Sequence, residues 1–222
     1  MKALLAILLA TGSVAAQEFV AVPGPIDDHD FYRLVACAAE PGGACRKPFL
    51  RWDAEARRAL GVSLASVSPA LAPYKRPLID AALDAAVAQI NDVDAGLHLV
   101  RVPHAAAIDI HIVDTPPGGV MSDTGVEALD GAVLPLGRVA LLVSEGQIPK
   151  GIIAISAFAG HRAIASVLLE EITQALGLMT DIRGPAYKQS IFSEDANDAI
   201  RLDGQDAMAL RRHYAGDGEG DG

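Results

Sequence analysis

Residues 167–181 read VLLEEITQALGLMTD, and the reading of this stretch decides the fold. At about 100° per residue, Ile164, Val167, Leu168, Ala175 and Leu178 fall on one arc with Glu171 near its centre. Glu170 and Gln174 lie together on the flank of that arc, one turn apart, while Ser166 and Thr173 face away. The spacing predicts a helix over 161–178, opening after the break at Gly160. Such a helix sends an ionisable group into its apolar side. A carboxylate there is costly unless paired, and burial raises its pKa toward the range of a general acid or base. The alternative is a packing role, in which Glu171 reaches a backbone amide or an arginine and fixes the helix in place.

Upstream of this helix, residues 139–143 and 151–158 are continuous apolar runs, as expected of strands in the middle of a sheet. Before them, 115–137 carries TPPGG and SDTG and reads as a long loop of the kind that borders binding sites. In 107–113, Ile108, Ile110 and Ile112 alternate with Asp109 and His111, which predicts a strand with one face in the core and His111 on the polar face. A second strand is expected over 97–102. Leu78, Ile79, Ala82, Leu83, Ala86, Val87 and Ile90 recur at three- and four-residue steps and predict a long amphipathic helix. Residues 49–52 read as a short first strand, followed by a brief helix over 54–60 capped by Asp53.

Downstream, SIFSED forms a turn, and Asp203 with Asp206 is expected to cap a final helix ending at Tyr214. The domain is expected to span 49–215, preceded by an irregular segment at 17–48 and followed by a disordered acidic tail at 216–222. Residues 1–16 have Lys2, an apolar run and a small-residue end, which together predict a cleaved secretory signal peptide. The expected location is therefore secreted or periplasmic, with no membrane insertion once the leader is removed.

The 222 residues include 18 basic and 28 acidic side chains for a net charge of −10. That balance argues against nucleic acid and anionic lipid as partners. The two cysteines, Cys37 and Cys45, lack C-x-x-C spacing and neighbouring histidines and are expected to form a disulfide. The sequence has no G-x-S-x-G elbow and no phosphate-binding glycine loop.

A strand, a long helix, two strands carrying D-I-x-I, further strands and then LLEEITQALGL form a succession that resembles the upper subdomain of the zincin metallopeptidases, especially the metzincins. The resemblance implies an α+β fold with a mixed twisted sheet, a long backing helix, an active-site-type helix and a C-terminal helix. In that family the helix carries H-E-x-x-H and a turn glycine, and a later S-[IV]-M turn supports the metal. Here Glu170 falls on the first histidine, Glu171 on the catalytic glutamate, Gln174 on the second histidine and Gly177 on the glycine. Thr180 falls on the third ligand with Asp181 beside it, and Ser190-Ile191-Phe192 matches the methionine turn with phenylalanine in place of methionine. The combination E-x-T-Q-x-L-G-L, S-I-F and a capped helix ending in tyrosine also resembles an uncharacterised bacterial family of secreted proteins of unknown function.

Zinc prefers imidazole and thiolate, whereas oxygen donors suit calcium or magnesium. No cofactor is therefore expected, zinc is disfavoured, and an oxygen-coordinated divalent cation is the metal that this donor set would suit. Two readings stay open. The first is a binding or scaffold protein of the envelope without zinc peptidase activity, its partner an envelope protein, peptide or polymer. The second is a hydrolase with a rebuilt carboxylate site, in which Glu171 is general base or acid and Glu170, Gln174 or Asp181 positions substrate or cation.

Overall fold

The structure is a computed structural model that describes residues 13–14, 18–196 and 198–215. The predicted leader, apart from the backbone of Ser13 and Val14, and the acidic tail lie outside the described residues. The described residues form a mixed α/β arrangement with a mixed sheet and four α-helices.

In chain order the elements are β1 (Ser13–Val14), β2 (Glu18–Ala21), α1 (Asp28–Cys37), β3 (Leu60–Val67), α2 (Arg76–Asp92), β4 (Leu99–Arg101), β5 (Ile108–Val113), β6 (Gly119–Val120), β7 (Val133–Leu134), β8 (Gly137–Ser144), β9 (Gln147–Ser156), α3 (Ile164–Gln174), β10 (Thr180–Arg183) and α4 (Gly204–Tyr214). The main sheet has the order β1-β8-β9-β5-β3-β4. β4, β3, β5 and β9 run parallel, and β8 turns back antiparallel to β9.

The alternation over 107–113 is realised. Ile108, Ile110 and Ile112 are buried, while Asp109 and His111 lie half-buried on the other face. There Asp109 accepts from Ser63 Oγ at 2.7 Å and pairs with Lys150 Nζ at 2.6 Å. α2 buries Ile79, Leu83, Ala86, Val87 and Ile90 of the predicted stripe and packs on α3, while Ala82 is half-buried and Leu78, at the edge of the stripe, is exposed. A smaller core of Val113, Met121, Leu129, Leu134, Ala140, Ile152 and Ala154 sits under the 115–137 excursion, which contains the short β6–β7 ladder.

Three expectations are corrected. Residues 49–52 make only an isolated bridge, Arg51 to Gln147, and the first long strand of the parallel sheet is β3. Its LGVSLASV sequence is small and polar at several positions and becomes a strand because β4 and β5 flank it on both edges. The 102–107 crossover passes close above Gly61: an added Cβ would lie 3.2 Å from Val102 Cγ2, a tight contact, and 3.4 Å from Ala106 Cα.

The 17–48 segment is regular over much of its length. β2 pairs in parallel with β10, and α1, capped by the Asp27 side chain on Asp30 N–H, packs on α4 and β10. Phe31, Tyr32, Leu34 and Val35 of α1 belong to the main core. The third correction is α3, which is shorter than 161–178: it ends at Gln174, and β10 begins at Thr180. Among the described residues no helix is long and apolar enough to cross a membrane.

Cys37 and Cys45 form the expected disulfide, with Cα atoms 5.2 Å apart, at the end of α1. Chain entropy for so short a loop is worth roughly 2–3 kcal/mol. Replacing both cysteines by serine is expected to lower the urea unfolding free energy by that amount. A wild-type urea midpoint in the double variant would remove this contribution.

Candidate functional site

Every residue of α3 from Ser166 to Gln174 is buried, because α2 covers one side and β8 and β9 another. Ser166 and Thr173, expected on an outward face, are inside and donate back to the Ala163 and Leu169 carbonyls at 3.1 and 2.7 Å. Glu170 and Gln174, expected on a flank, are as deeply enclosed as Glu171. Relative exposures are 5% for Glu170, 1% for Glu171, 0% for Gln174 and 2% for Asp181.

The structure brings the four predicted site residues into one buried polar cluster. Gln174 Nε2 donates to Asp181 Oδ1 at 2.8 Å. Glu171 Oε2, Gln174 Oε1, Thr180 Oγ and Ser193 Oγ are buried without a hydrogen-bond partner. Ser193 reaches this region because it bridges Ile182 of β10.

Burial is the main cause of unusual acidity here. It raises Asp181 to about 8, Glu194 adding to the effect while the Gln174 hydrogen bond and Lys47 oppose it. Burial also lifts Glu170 well above the ordinary carboxyl range, reinforced by Glu171, Asp181 and Glu194. Glu171 is raised by burial and by Asp181, with Arg138 working against both. Asp181 therefore keeps its proton at neutral pH, and burial favours the protonated form of Glu170 and Glu171 in the same way.

Two glycines shape the cluster. At Gly137, the first residue of β8, an added Cβ would run into Glu171 Oε1 and lie 2.7 Å from Glu171 Cγ and 2.6 Å from Val167 Cγ1. Gly137→Ala is expected to cost about 2 kcal/mol as overpacking. In an equilibrium double-mutant cycle with Glu171→Ala, a coupling of about 1 kcal/mol is expected. Strict additivity would remove the proposed contact. At Gly177, with φ of +103°, a Cβ would collide with the Leu50 carbonyl oxygen and lie 2.8 Å from His213 Nε2.

The end of α3 is closed by side chains from distant parts of the chain. Trp52 Nε1 donates to Ala175 O at 2.9 Å, and Tyr214 OH donates to Leu176 O at 2.6 Å. His213 donates through Nε2 to Leu50 O at 2.8 Å, and its Nδ1 lies 3.3 Å from Tyr32 OH. Burial lowers its pKa to about 3, so it is a neutral structural histidine.

The Ser190-Ile191-Phe192 turn is held by Asp206 of α4. Its carboxylate accepts from Ser190 Oγ at 2.6 Å and from Ile191 N–H at 2.8 Å. Asp206 was expected to help cap α4, and Asp203 makes no side-chain cap. Phe192 is fully buried, its ring 6.3 Å from that of Phe31.

The donors do not fit zinc. The donor atoms that could face a metal are carboxyl and amide oxygens, with no imidazole or thiolate among them, and the set is enclosed. Among the described residues, the one group of three or more His, Cys, Asp or Glu donors within 4.8 Å of one another is exposed Asp27 and His29 with half-buried Asp30. There Asp27 caps α1 and Asp30 accepts from Gly42 N–H, which accounts for both carboxylates without a ligand.

Fold and site together define a mixed α/β protein whose mixed sheet packs against a helix that, with the following strand, carries a buried carboxyl cluster. Residues 126–217 match a family described as a protein of unknown function (DUF2927). That stretch runs from inside the excursion through β8, β9, α3, β10 and α4, and so includes Gly137, the whole cluster and Asp206. No curated protein matches the chain.

Of the residues that build the site, sequence reasoning missed Gly137, Ser193 and the roles of Trp52, Tyr214 and Asp206. The available signal was the single Trp52 in a chain that is 5% aromatic. Gly137 could not be singled out, because its role depends on a helix 30 residues away in sequence.

Proposed function

We propose that this chain is a zincin-like protein of the envelope, secreted or periplasmic, that lacks zinc peptidase activity and acts in binding or as a scaffold. Its partner would be an envelope protein, peptide or polymer. The observation that carries the reading is the enclosure of Glu170, Glu171, Gln174 and Asp181 together with the Gln174–Asp181 hydrogen bond. A group that must touch substrate needs access, and these side chains face only protein. The zincin likeness is supported by the succession α2, β4, β5, β8, β9 and α3, with β3 standing in place of the strand expected at 49–52. The disulfide fits an oxidising compartment.

Elemental analysis of the folded, secreted protein beside its Glu170→His, Gln174→His double variant tests this. The expected result is no stoichiometric zinc in the wild type and gain of zinc in the variant. Stoichiometric zinc in the wild type together with cleavage of a peptide library would overturn it.

One observation favours the second reading, a hydrolase using Glu171 as general base or acid: the carboxyl is buried with Oε2 unpartnered and its pKa raised. On that reading Glu170, Gln174 or Asp181 would position the substrate or an oxygen-coordinated cation. Glu171→Gln keeps the volume and removes the ionisable group. Turnover that survives this substitution would exclude the hydrolase.

A further inference from the structure

The sheet has a topological switch point away from the carboxyl cluster. From the carboxyl end of β3 the chain leaves through α2 to β4 on one side. From the carboxyl end of adjacent β5 it leaves through the excursion to β8 on the other. In open α/β sheets this divergence opens a crevice outside the strand ends, where ligands bind. A pocket of about 270 Å³ lies there, walled by the end of β3, the end of β5 and the 122–124 loop. Its volume falls just below the roughly 300–1,000 Å³ of drug-sized sites, so it fits one small ring.

The polar side chains of the wall are Ser66, Ser68, Asp114, Thr115, Ser122, Asp123 and Thr124. Several are held in place. Ser66 Oγ is 2.8 Å from His111 Nδ1, Thr124 Oγ donates to Asp130 at 2.6 Å, and Ser68 Oγ accepts from Ala70 N–H at 3.0 Å. None of the described lining residues is basic, and two carboxylates face the crevice, which disfavours phosphates and carboxylates as ligands. Hydroxyls that both donate and accept, beside carboxylates that accept, match a ligand rich in hydroxyl groups. Next to this wall, Ala157 N–H binds Val113 O, and the following residue, Phe158, is 48% exposed at the end of β9.

We propose that the crevice between the carboxyl ends of β3 and β5 binds a neutral saccharide unit, with Asp114, Asp123 and the serine and threonine hydroxyls as its polar contacts. The site is separate from α3 and stands whether or not the carboxyl cluster is catalytic. The saccharide is either a free sugar or one unit of an envelope polymer.

The test is NMR titration of the secreted full chain with glucose, with N-acetylglucosamine, with the tetramer of N-acetylglucosamine and with putrescine. Saturable amide shifts confined to the 66–68, 113–115 and 122–124 segments are expected for the sugars, with Kd on the order of 1 mM. Tetramer binding at least tenfold tighter than either monosaccharide identifies the polymer as the source, and equal affinity identifies the free sugar. Asp114→Asn with Asp123→Asn should weaken binding at least tenfold with no change in melting temperature. Both residues are exposed, and Asp123 sits at φ of +54°, which asparagine tolerates. Absence of shifts at roughly 100 mM sugar, shifts elsewhere, sugar affinity unchanged in the double variant, or saturation by putrescine alone would overturn the proposal.

Discussion

Raising the pH from 6.5 to 8 is expected to lower the melting temperature of this protein by several degrees, and Asp181→Asn is expected to remove much of that slope. Asp181 has its pKa raised from 3.8 to about 8 in the fold, so the folded protein keeps a proton that the unfolded chain releases. The stabilisation is fully present below about pH 4 and is lost as pH rises through 8. Over that whole range it amounts to about 5 kcal/mol for Asp181 alone, against a total stability of roughly 5–15 kcal/mol for an ordinary domain. Glu170 and Glu171 are shifted in the same direction and add to the loss.

The window matters because other groups titrate lower. His213, lowered to about 3, destabilises the fold as pH falls below 6.5, the opposite sign, and half-buried His111 is shifted the same way. Asp206, raised to about 6, has spent its effect by pH 6.5. Between 6.5 and 8 the carboxyl cluster therefore dominates, facing Arg138, Lys47 and Glu194. About 2 kcal/mol per proton is lost there, equivalent to roughly 4–8 °C in a domain of this size. Calorimetry in half-unit pH steps at constant ionic strength measures it. A melting temperature that is flat or rises over this window would show that the cluster is ionised in the fold.

Gly177→Ala should be the most damaging single-methyl change in the described chain, at about 4 kcal/mol or more. Two costs combine. The residue has φ of +103°, where a side chain is strained, and its Cβ would enter the Leu50 carbonyl oxygen while crowding His213 Nε2 at 2.8 Å. Neither neighbour can yield cheaply. Leu50 O is backbone and is itself bonded to His213, whose Nδ1 lies 3.3 Å from Tyr32 OH. Gly96→Ala supplies the comparison, because Gly96 also has positive φ, +76°, but its Cβ would meet only Tyr214 O at an ordinary 3.5 Å. That variant should cost about 1 kcal/mol. Similar urea midpoints for the two variants would mean that backbone conformation alone explains Gly177.

Sequence periodicity located α2 and β5 because each has one face in the core and one toward solvent, so hydrophobicity alternates with the period of the element. It failed where that contrast disappears. Ser166 and Thr173 of α3 looked outward on a helical wheel, but α2 and the sheet enclose them, and both satisfy their hydroxyls on the helix's own carbonyls. β3 was hidden because its small and polar residues have weak strand character until β4 and β5 supply hydrogen bonds. β2 and β10 are four residues each and exist through pairing between chain segments more than 150 residues apart. Local sequence carries no trace of such a partner.

The stretch VLLEEITQALGLMTD by itself determined that a helix would carry Glu171 inward, that glycine would follow it, and that the usual imidazole donors would be missing. The disulfide was likewise legible from two cysteines eight residues apart. Only the tertiary structure decided that Glu170, Gln174 and Asp181 join Glu171 in a closed cluster, that Gly137 admits the glutamate, and that Trp52, His213 and Tyr214 lock the helix end. The reason is physical. Periodicity reports which way a side chain points from its own element, whereas burial, proton affinity and steric room depend on what the rest of the chain places against it.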